Sequence, residues 1–307
     1  MIRFANAPCS WGTIEGWGQG VPYAQMLDEL VQTGYTATEL SDYGYMPTEP
    51  AQLRFELESR GLTMLGAYEG VNLSDPNAYP DGEARVLRIA QLLKSVADLG
   101  DSHWQPLAIL ADQHSLVETR FNHAGRIQPS MMLPDWRTFA TGANRLAKTV
   151  LEQTGLRTVF HPHCAGWVET PDEIAAFLDH TDPSLVGLVF DTGHYLFGTG
   201  ANQPQAVLDG LERFKQRIWY MHFKDMNPDL ATQARLEGWN YKKSVEHGIF
   251  CELGAGIVPF PAVLQKLEQI GYHGWVTVEQ DVLSGMGAPF DSANRNRQYL
   301  KRIAPNL

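Results

Sequence analysis

Four short segments in the second half of the chain constrain it most, because each is an apolar run that ends in groups able to bind a metal. They read Thr158-Val159-Phe160-His161-Pro162-His163, Gly187-Leu188-Val189-Phe190-Asp191-Thr192-Gly193-His194, Ile218-Trp219-Tyr220-Met221-His222-Phe223-Lys224-Asp225 and Gly274-Trp275-Val276-Thr277-Val278-Glu279-Gln280-Asp281. Their apolar parts are rich in β-branched and aromatic side chains, the composition of a strand buried on both faces. The polar groups stand at the C-terminal ends. In a (β/α)8 TIM barrel those ends converge on one mouth, where catalysis is carried out. The pattern therefore predicts an α/β fold of that class with a single divalent-metal site.

Strand-like and helix-like stretches alternate along the whole chain, as parallel strands with crossover helices require. Strands are expected at 3–8, 36–40 and 62–68, and a less regular one at 103–110, where Gln105-Pro106 interrupts the run. Helices are expected at 21–32, about 50–60 and about 291–303. Val86, Ala90, Leu93 and Ala97 keep a helical stripe, as do Phe139, Ala143, Leu146 and Val150, which stop before Gly155. Thr170 is placed to cap a helix that begins at Pro171. Eight strand–helix pairs can be counted without a linker, so one domain over 1–307 is expected. Two connections, 111–133 and 225–259, exceed ordinary βα loops and are expected to act as lids or pocket walls, with Trp239 and Tyr241 suited to a small polar ring.

A length of 307 residues suits one such barrel, and a formal charge of −11 disfavours nucleic acid and anionic membranes as partners. No apolar run reaches the roughly 18–20 residues of a membrane span. The N-terminus lacks the order of a signal peptide. Cys9, Cys164 and Cys251 are odd in number and lack C-x-x-C spacing, so they are read as small buried hydrophobes rather than a disulfide framework or zinc ribbon. A cytoplasmic enzyme is expected, with a homo-oligomer in keeping with barrels of this size.

His161, Asp191, His222 and Glu279 form the expected ligand set. Imidazole mixed with carboxylate suits Mn²⁺, Co²⁺, Fe²⁺ or Zn²⁺ better than Mg²⁺. A single His or Asp at a strand end is more often a capping residue than a ligand; four such ends in consecutive register are hard to obtain by chance. His163 and His194 lie just beyond ligand positions and either join the metal or orient its ligands and bind hydroxyls. Lys224 shares a side of its strand with His222 and is expected to neutralise charge or carry a proton, the latter favoured if burial lowers its pKa. Trp11 and Trp17 read equally as pocket aromatics or core. Gly254-Ala255-Gly256 is too weak a signal for phosphate binding.

Taken with Asn6-Ala7-Pro8, Thr38-Glu39-Leu40, His161-Pro162-His163, Asp191-Thr192-Gly193-His194, His222-Phe223-Lys224-Asp225 and Arg235-Leu236-Glu237-Gly238, the chain resembles the xylose-isomerase-like barrels over nearly its whole length. Within them it is most similar to the inosose dehydratases. The resemblance implies a Mn²⁺- or Co²⁺-dependent lyase that dehydrates 2-keto-myo-inositol, with Trp11, Tyr68, Glu69, Asp225 and Arg235 near substrate. The chain departs from the family where His161 replaces a more usual Glu. It departs again after strand three, where Ala67, Tyr68 and Glu69 stand for a Trp, an aromatic and a Ser, and at 110–113, where an expected Glu is missing. These departures bear on which polyol or keto-sugar fits.

Three functions compete. A lyase would use Glu279 or Lys224 as base and His163 or His194 at the leaving hydroxyl. An isomerase or epimerase of a non-phosphorylated keto-sugar would use the same ligands and return the proton to carbon. A non-catalytic sugar-binding barrel would not be expected to keep a complete ligand set.

Overall fold

The structure is a computed structural model that describes residues 1–13, 17–18, 20–113, 118–128 and 131–305. Residues 114–117 and 129–130 of the first long connection lie outside the described residues. The barrel strands are β1 (Ile2–Asn6), β2 (Ala37–Thr38), β3 (Thr63–Met64) with its continuation β4 (Gly66–Val71), β5 (Leu107–Asp112), β6 (Arg157–Phe160), β7 (Val186–Asp191) and β8 (Ile218–Phe223). A short hairpin, β9 (Asp225–Met226) with β10 (Phe250–Cys251), precedes the last barrel strand, β11 (Gly274–Val278).

Seven strands form one parallel sheet in the order β1-β11-β8-β7-β6-β5-β4, so the first strand pairs with the last, Ile2 opposite Gly274. The ring is completed by β2, which pairs in parallel with β3 and is tied to β1 by Thr38 Oγ1 donating to the Asn6 carbonyl at 2.9 Å. The result is a (β/α)8 barrel. Strand one is shorter than expected because Pro8 begins a 3-10 turn (Pro8–Trp11), and strand four starts at Leu107, just past Pro106. A proline lacks the N–H a ladder needs, so both limits follow from the chain.

Alternation along the strands sets what faces inward. Ala5, Ala37, Leu65, Ile109, Val159, Val189, Tyr220 and Trp275 meet inside the barrel as one apolar cluster. Their neighbours Phe4, Phe160, Phe190 and Met221 belong instead to the large core shared with the helices. The helix Trp136–Thr154 buries Phe139, Ala143, Leu146 and Val150 and ends on Gly155 at φ +75°, a left-handed cap that suits glycine. Thr170 and Glu173 form a reciprocal capping box at Pro171–His180. No helix among the described residues is long and apolar enough to cross a membrane.

Candidate metal centre

The inward parity that fills the barrel also places the site. Two residues beyond Val159 is His161, two beyond Val189 is Asp191, two beyond Tyr220 is His222, and four beyond Trp275 is Glu279. One ligand atom from each of these four lies within 4.8 Å of every other. His161, Asp191 and His222 are buried, and Glu279 is partly so. Among the described residues, buried polar atoms of this cluster are left without hydrogen bonds: both ring nitrogens of His161, Asp191 Oδ2 and His222 Nδ1, the last 3.3 Å from Glu279 Oε1. Buried polar atoms are rarely abandoned in this way, since each costs about 1–3 kcal/mol. Two carboxylates and two imidazoles whose spare atoms converge fit a divalent cation.

Asp191 and His222 are each oriented by a second contact. Asp191 uses Oδ1 to accept the His194 N–H at 2.7 Å, capping the helix Thr192–Gly198, which turns Oδ2 to the centre. His222 donates from Nε2 to Glu39 Oε1 at 2.9 Å, leaving Nδ1 for the metal. That Glu39 oxygen also accepts from the Tyr220 hydroxyl at 2.8 Å, and the hydroxyl lies 2.5 Å from Thr277 Oγ1. A carboxylate behind a histidine fixes its ring and tautomer. Although burial opposes it, the Glu279 and Glu39 carboxylates hold the His222 pKa well above its usual value, so metal binding would displace a proton there. Burial likewise raises Glu279, but His222 and Lys224 outweigh it and keep that carboxyl well below the usual range.

Lys224 is buried with its Nζ 3.0 Å from Asp281 Oδ1 and 3.5 Å from Glu279 Oε2. Burial alone would lower its pKa; Asp281 and Glu279 overturn that and raise it well above the ordinary value. The condition that favours proton transfer by Lys224, a pKa lowered by burial, is therefore not met, and the group stands as an ammonium suited to neutralising charge. His163 lines the same cavity, with Nδ1 donating to the Cys164 carbonyl at 3.0 Å and Nε2 3.3 Å from the Tyr241 hydroxyl. His194 stacks against His163 at 4.0 Å between ring centroids but does not line that cavity. Burial, then the neighbouring cations, depress its pKa well below 6.5, so it is neutral.

Tyr68 faces the cavity, together with Cys9, Thr13, Ser41, Asp42 and Tyr241. Burial pushes the Cys9 thiol well up, which keeps it protonated. The other four residues expected near substrate stand elsewhere. Trp11 is fully buried in the core, its Nε1 donating to Glu29 Oε2 at 2.7 Å. Glu69 turns away to pair with Arg85. Asp225 accepts backbone N–H groups from Met226, Gly254, Gly256 and Val258 at 2.8–3.0 Å, so the glycine turn wraps a carboxylate of its own chain. A Cβ on Gly256 would come within 2.4 Å of Asp225 Oδ1, which is why that position is bare. Arg235 lies on the helix Pro228–Glu237, bonded to Asn202. Trp239 packs on His247, whereas Trp17 meets Tyr241 and Phe121 edge-on beside the cavity.

Sequence reading gave no role to Glu39 or Asp281, although both lay in quoted motifs. Glu39 was detectable by parity, two residues beyond inward Ala37, but an apolar run as short as that of β2 hides it.

The chain is 29% identical to an inosose dehydratase of Geobacillus kaustophilus, over all of this chain and 96% of that protein. It is 28% identical to an inosose dehydratase of Bacillus licheniformis, over all of this chain and 97% of that one. The solved structure of the IOLI protein with a bound zinc atom superposes with a TM-score of 0.68 at 13% identity, covering 98% of this chain and 97% of that one, a likeness of fold. The description of xylose isomerase-like TIM barrels matches residues 17–303, and the chain belongs to that family.

Proposed function

We propose that the protein is a divalent-metal-dependent hydro-lyase that removes water from a keto-inositol, 2-keto-myo-inositol or a close relative. The observation that carries this reading is the buried His161, Asp191, His222 and Glu279 quartet with its unpartnered atoms, in a chain similar to inosose dehydratases from end to end. Those four residues would hold the ion, Mn²⁺ or Co²⁺ by preference, with Zn²⁺ and Fe²⁺ suited to the same donors. When bound, it supplies Lewis-acid stabilisation of negative charge on oxygen beside the substrate carbonyl.

The chain's own groups do the rest. Glu279, kept ionised by His222 and Lys224, takes the proton from the carbon next to the carbonyl. The Lys224 ammonium, clamped by Asp281, offsets the charge this leaves on the substrate. The His163–Tyr241 pair delivers a proton to the departing hydroxyl, which leaves as water as the carbon–carbon double bond forms. Ser41, Asp42, Thr13 and Tyr68 offer partners for the ring hydroxyls. In this reading His194 orients His163 and takes no proton.

The test is turnover of 2-keto-myo-inositol by metal-stripped protein resupplied with Mn²⁺ or Co²⁺, followed by dione absorbance and NMR. Metal-dependent dione, abolished in Glu279→Gln, is expected. Conversion to an isomeric ketose without dione would move the assignment to an isomerase or epimerase. Failure to bind any divalent metal would sink the quartet itself.

A further inference from the structure

Each long connection contributes one arginine to a second cavity, of about 590 Å³, between the two insertions. Arg126 follows the short helix Glu118–Phe121, and Arg235 sits in the last turn of Pro228–Glu237. His123, Gln128 and Thr199 also line this space; none of its described lining residues belongs to the catalytic cavity, and none is acidic.

Both guanidinium groups are under-used by the protein. Among the described residues Arg126 bonds only through Nη2, to the carbonyls of Asn122 and Trp239, and its buried Nε has no partner. Among the described residues Arg235 bonds only through Nη2, to Asn202 Oδ1, and its buried Nη1 has none. Neither makes an ion pair among the described residues. Glu169 acts electrostatically on Arg126, but its two oxygens are taken by the N–H groups of Gly125 and Ala165 at 2.6 and 2.8 Å. Two partly buried cations thus line one cavity with no ion-paired carboxylate among the described residues, in a chain of net charge −11. Arginine stays charged under such conditions, so the cost is met by an anion rather than by deprotonation.

The geometry points to a second ligand site, between Arg126 and Arg235, that takes a phosphate dianion, free or as the monoester of a small metabolite. A phosphate carries a charge of about −1.5 to −2 at pH 7, matching two guanidiniums, and its oxygens suit their planar donor forks. An aspartate-sized carboxylate would leave one cation uncompensated. Occupancy would also join the insertions, which already touch through Arg126 and the Trp239 carbonyl. Phe121 and Tyr241, one from each insertion, meet edge-on at 6.1 Å beside the catalytic cavity, so the phosphate would brace its wall.

Calorimetric titration in Mn²⁺-containing buffer with inorganic phosphate and with glucose 6-phosphate, against glucose as neutral control, tests this. Wild type and Asp191→Asn should bind phosphate equally, whereas Arg126→Gln and Arg235→Gln should each bind at least about tenfold more weakly. Thermal unfolding of the same variants should show a phosphate-dependent rise in midpoint for the first two only. Binding of glucose 6-phosphate alone identifies the monoester as ligand; binding of both identifies the free ion as sufficient. Equal binding in all four proteins overturns the site, as does loss confined to Asp191→Asn, which would put phosphate on the metal. Absence of binding by wild type overturns it outright. If Arg126→Gln does not fold, Arg235→Gln decides alone.

Discussion

At the N-terminal mouth of the barrel Arg3 pairs with Asp101, Lys215 pairs with Glu212, and the Arg157 guanidinium lies over the Trp219 ring at 3.3 Å. Arg3, Lys215, Arg157 and Trp219 line a cavity of about 680 Å³. At the opposite mouth the cavity holds about 90 Å³, yet there His161, Asp191 and His222 keep buried atoms without partners. The cations that wall the larger space are already paired or stacked; the smaller one is surrounded by buried polar atoms without partners. Chemistry is marked by unmet polar demand, not by volume.

The comparison can be broken by mutation. The largest effect is expected from Asp191→Ala: turnover should fall on the order of a thousandfold or more, as one ligand of a Lewis-acid centre is lost. Equilibrium dialysis should show the metal lost with it, while Asp191→Asn, which can still cap the helix, should lose metal and keep the fold. Next comes Lys224→Met, which takes the ammonium from the buried Asp281 carboxylate and should cost about 3–5 kcal/mol in urea unfolding. A cost under about 1 kcal/mol would mean that Asp281 finds another donor.

Glu169, behind the same mouth, has its carboxyl raised to about 7 by burial, against an ordinary 4.5. Between those values the folded chain keeps a proton that the unfolded chain has lost. Its contribution is therefore full below about pH 4.5 and gone above about pH 7, a span worth roughly 3 kcal/mol. Relative to Glu169→Gln, wild type should gain stability as the pH falls from 7.5 to 5; a flat difference would show that the carboxyl titrates normally. Glu39→Gln should weaken metal binding or activity by about 10- to 100-fold with little change in unfolding midpoint, since it loosens a ligand without removing it. The smallest effect belongs to the other mouth: Arg157→Ala should leave turnover unchanged and cost about 0.5–1 kcal/mol, the worth of an exposed cation–π contact. A large loss of activity there would erase the distinction between the two ends.

Much of the barrel could be read along the chain because local rules act there. Prolines 8 and 106 bound strands, Thr170 and Gly155 bound helices, and period-two alternation aimed His161, Asp191, His222 and Glu279 inward. The ligand set was legible for the same reason: one spacing rule, applied four times, gives one converging point. Lys224 shows the limit of such reading. Its inward side was predictable, but the sign of its pKa depended on Asp281, 57 residues away, outweighing burial.

By itself, then, the sequence determined the barrel, its polar C-terminal rim and the donor chemistry of that rim, because strand parity and capping act over a few residues. Only the tertiary structure decided which polar residues serve the site. Asp225 stands three positions past His222 yet is consumed by three backbone N–H groups from the 254–258 turn and by that of Met226. Trp11 is consumed by Glu29, Glu69 by Arg85, and Glu39 is drawn in from the shortest strand run to hold His222. A polar side chain serves whichever partner the fold brings within about 3 Å, and that partner is set by closure of the whole ring of strands rather than by neighbours in the chain.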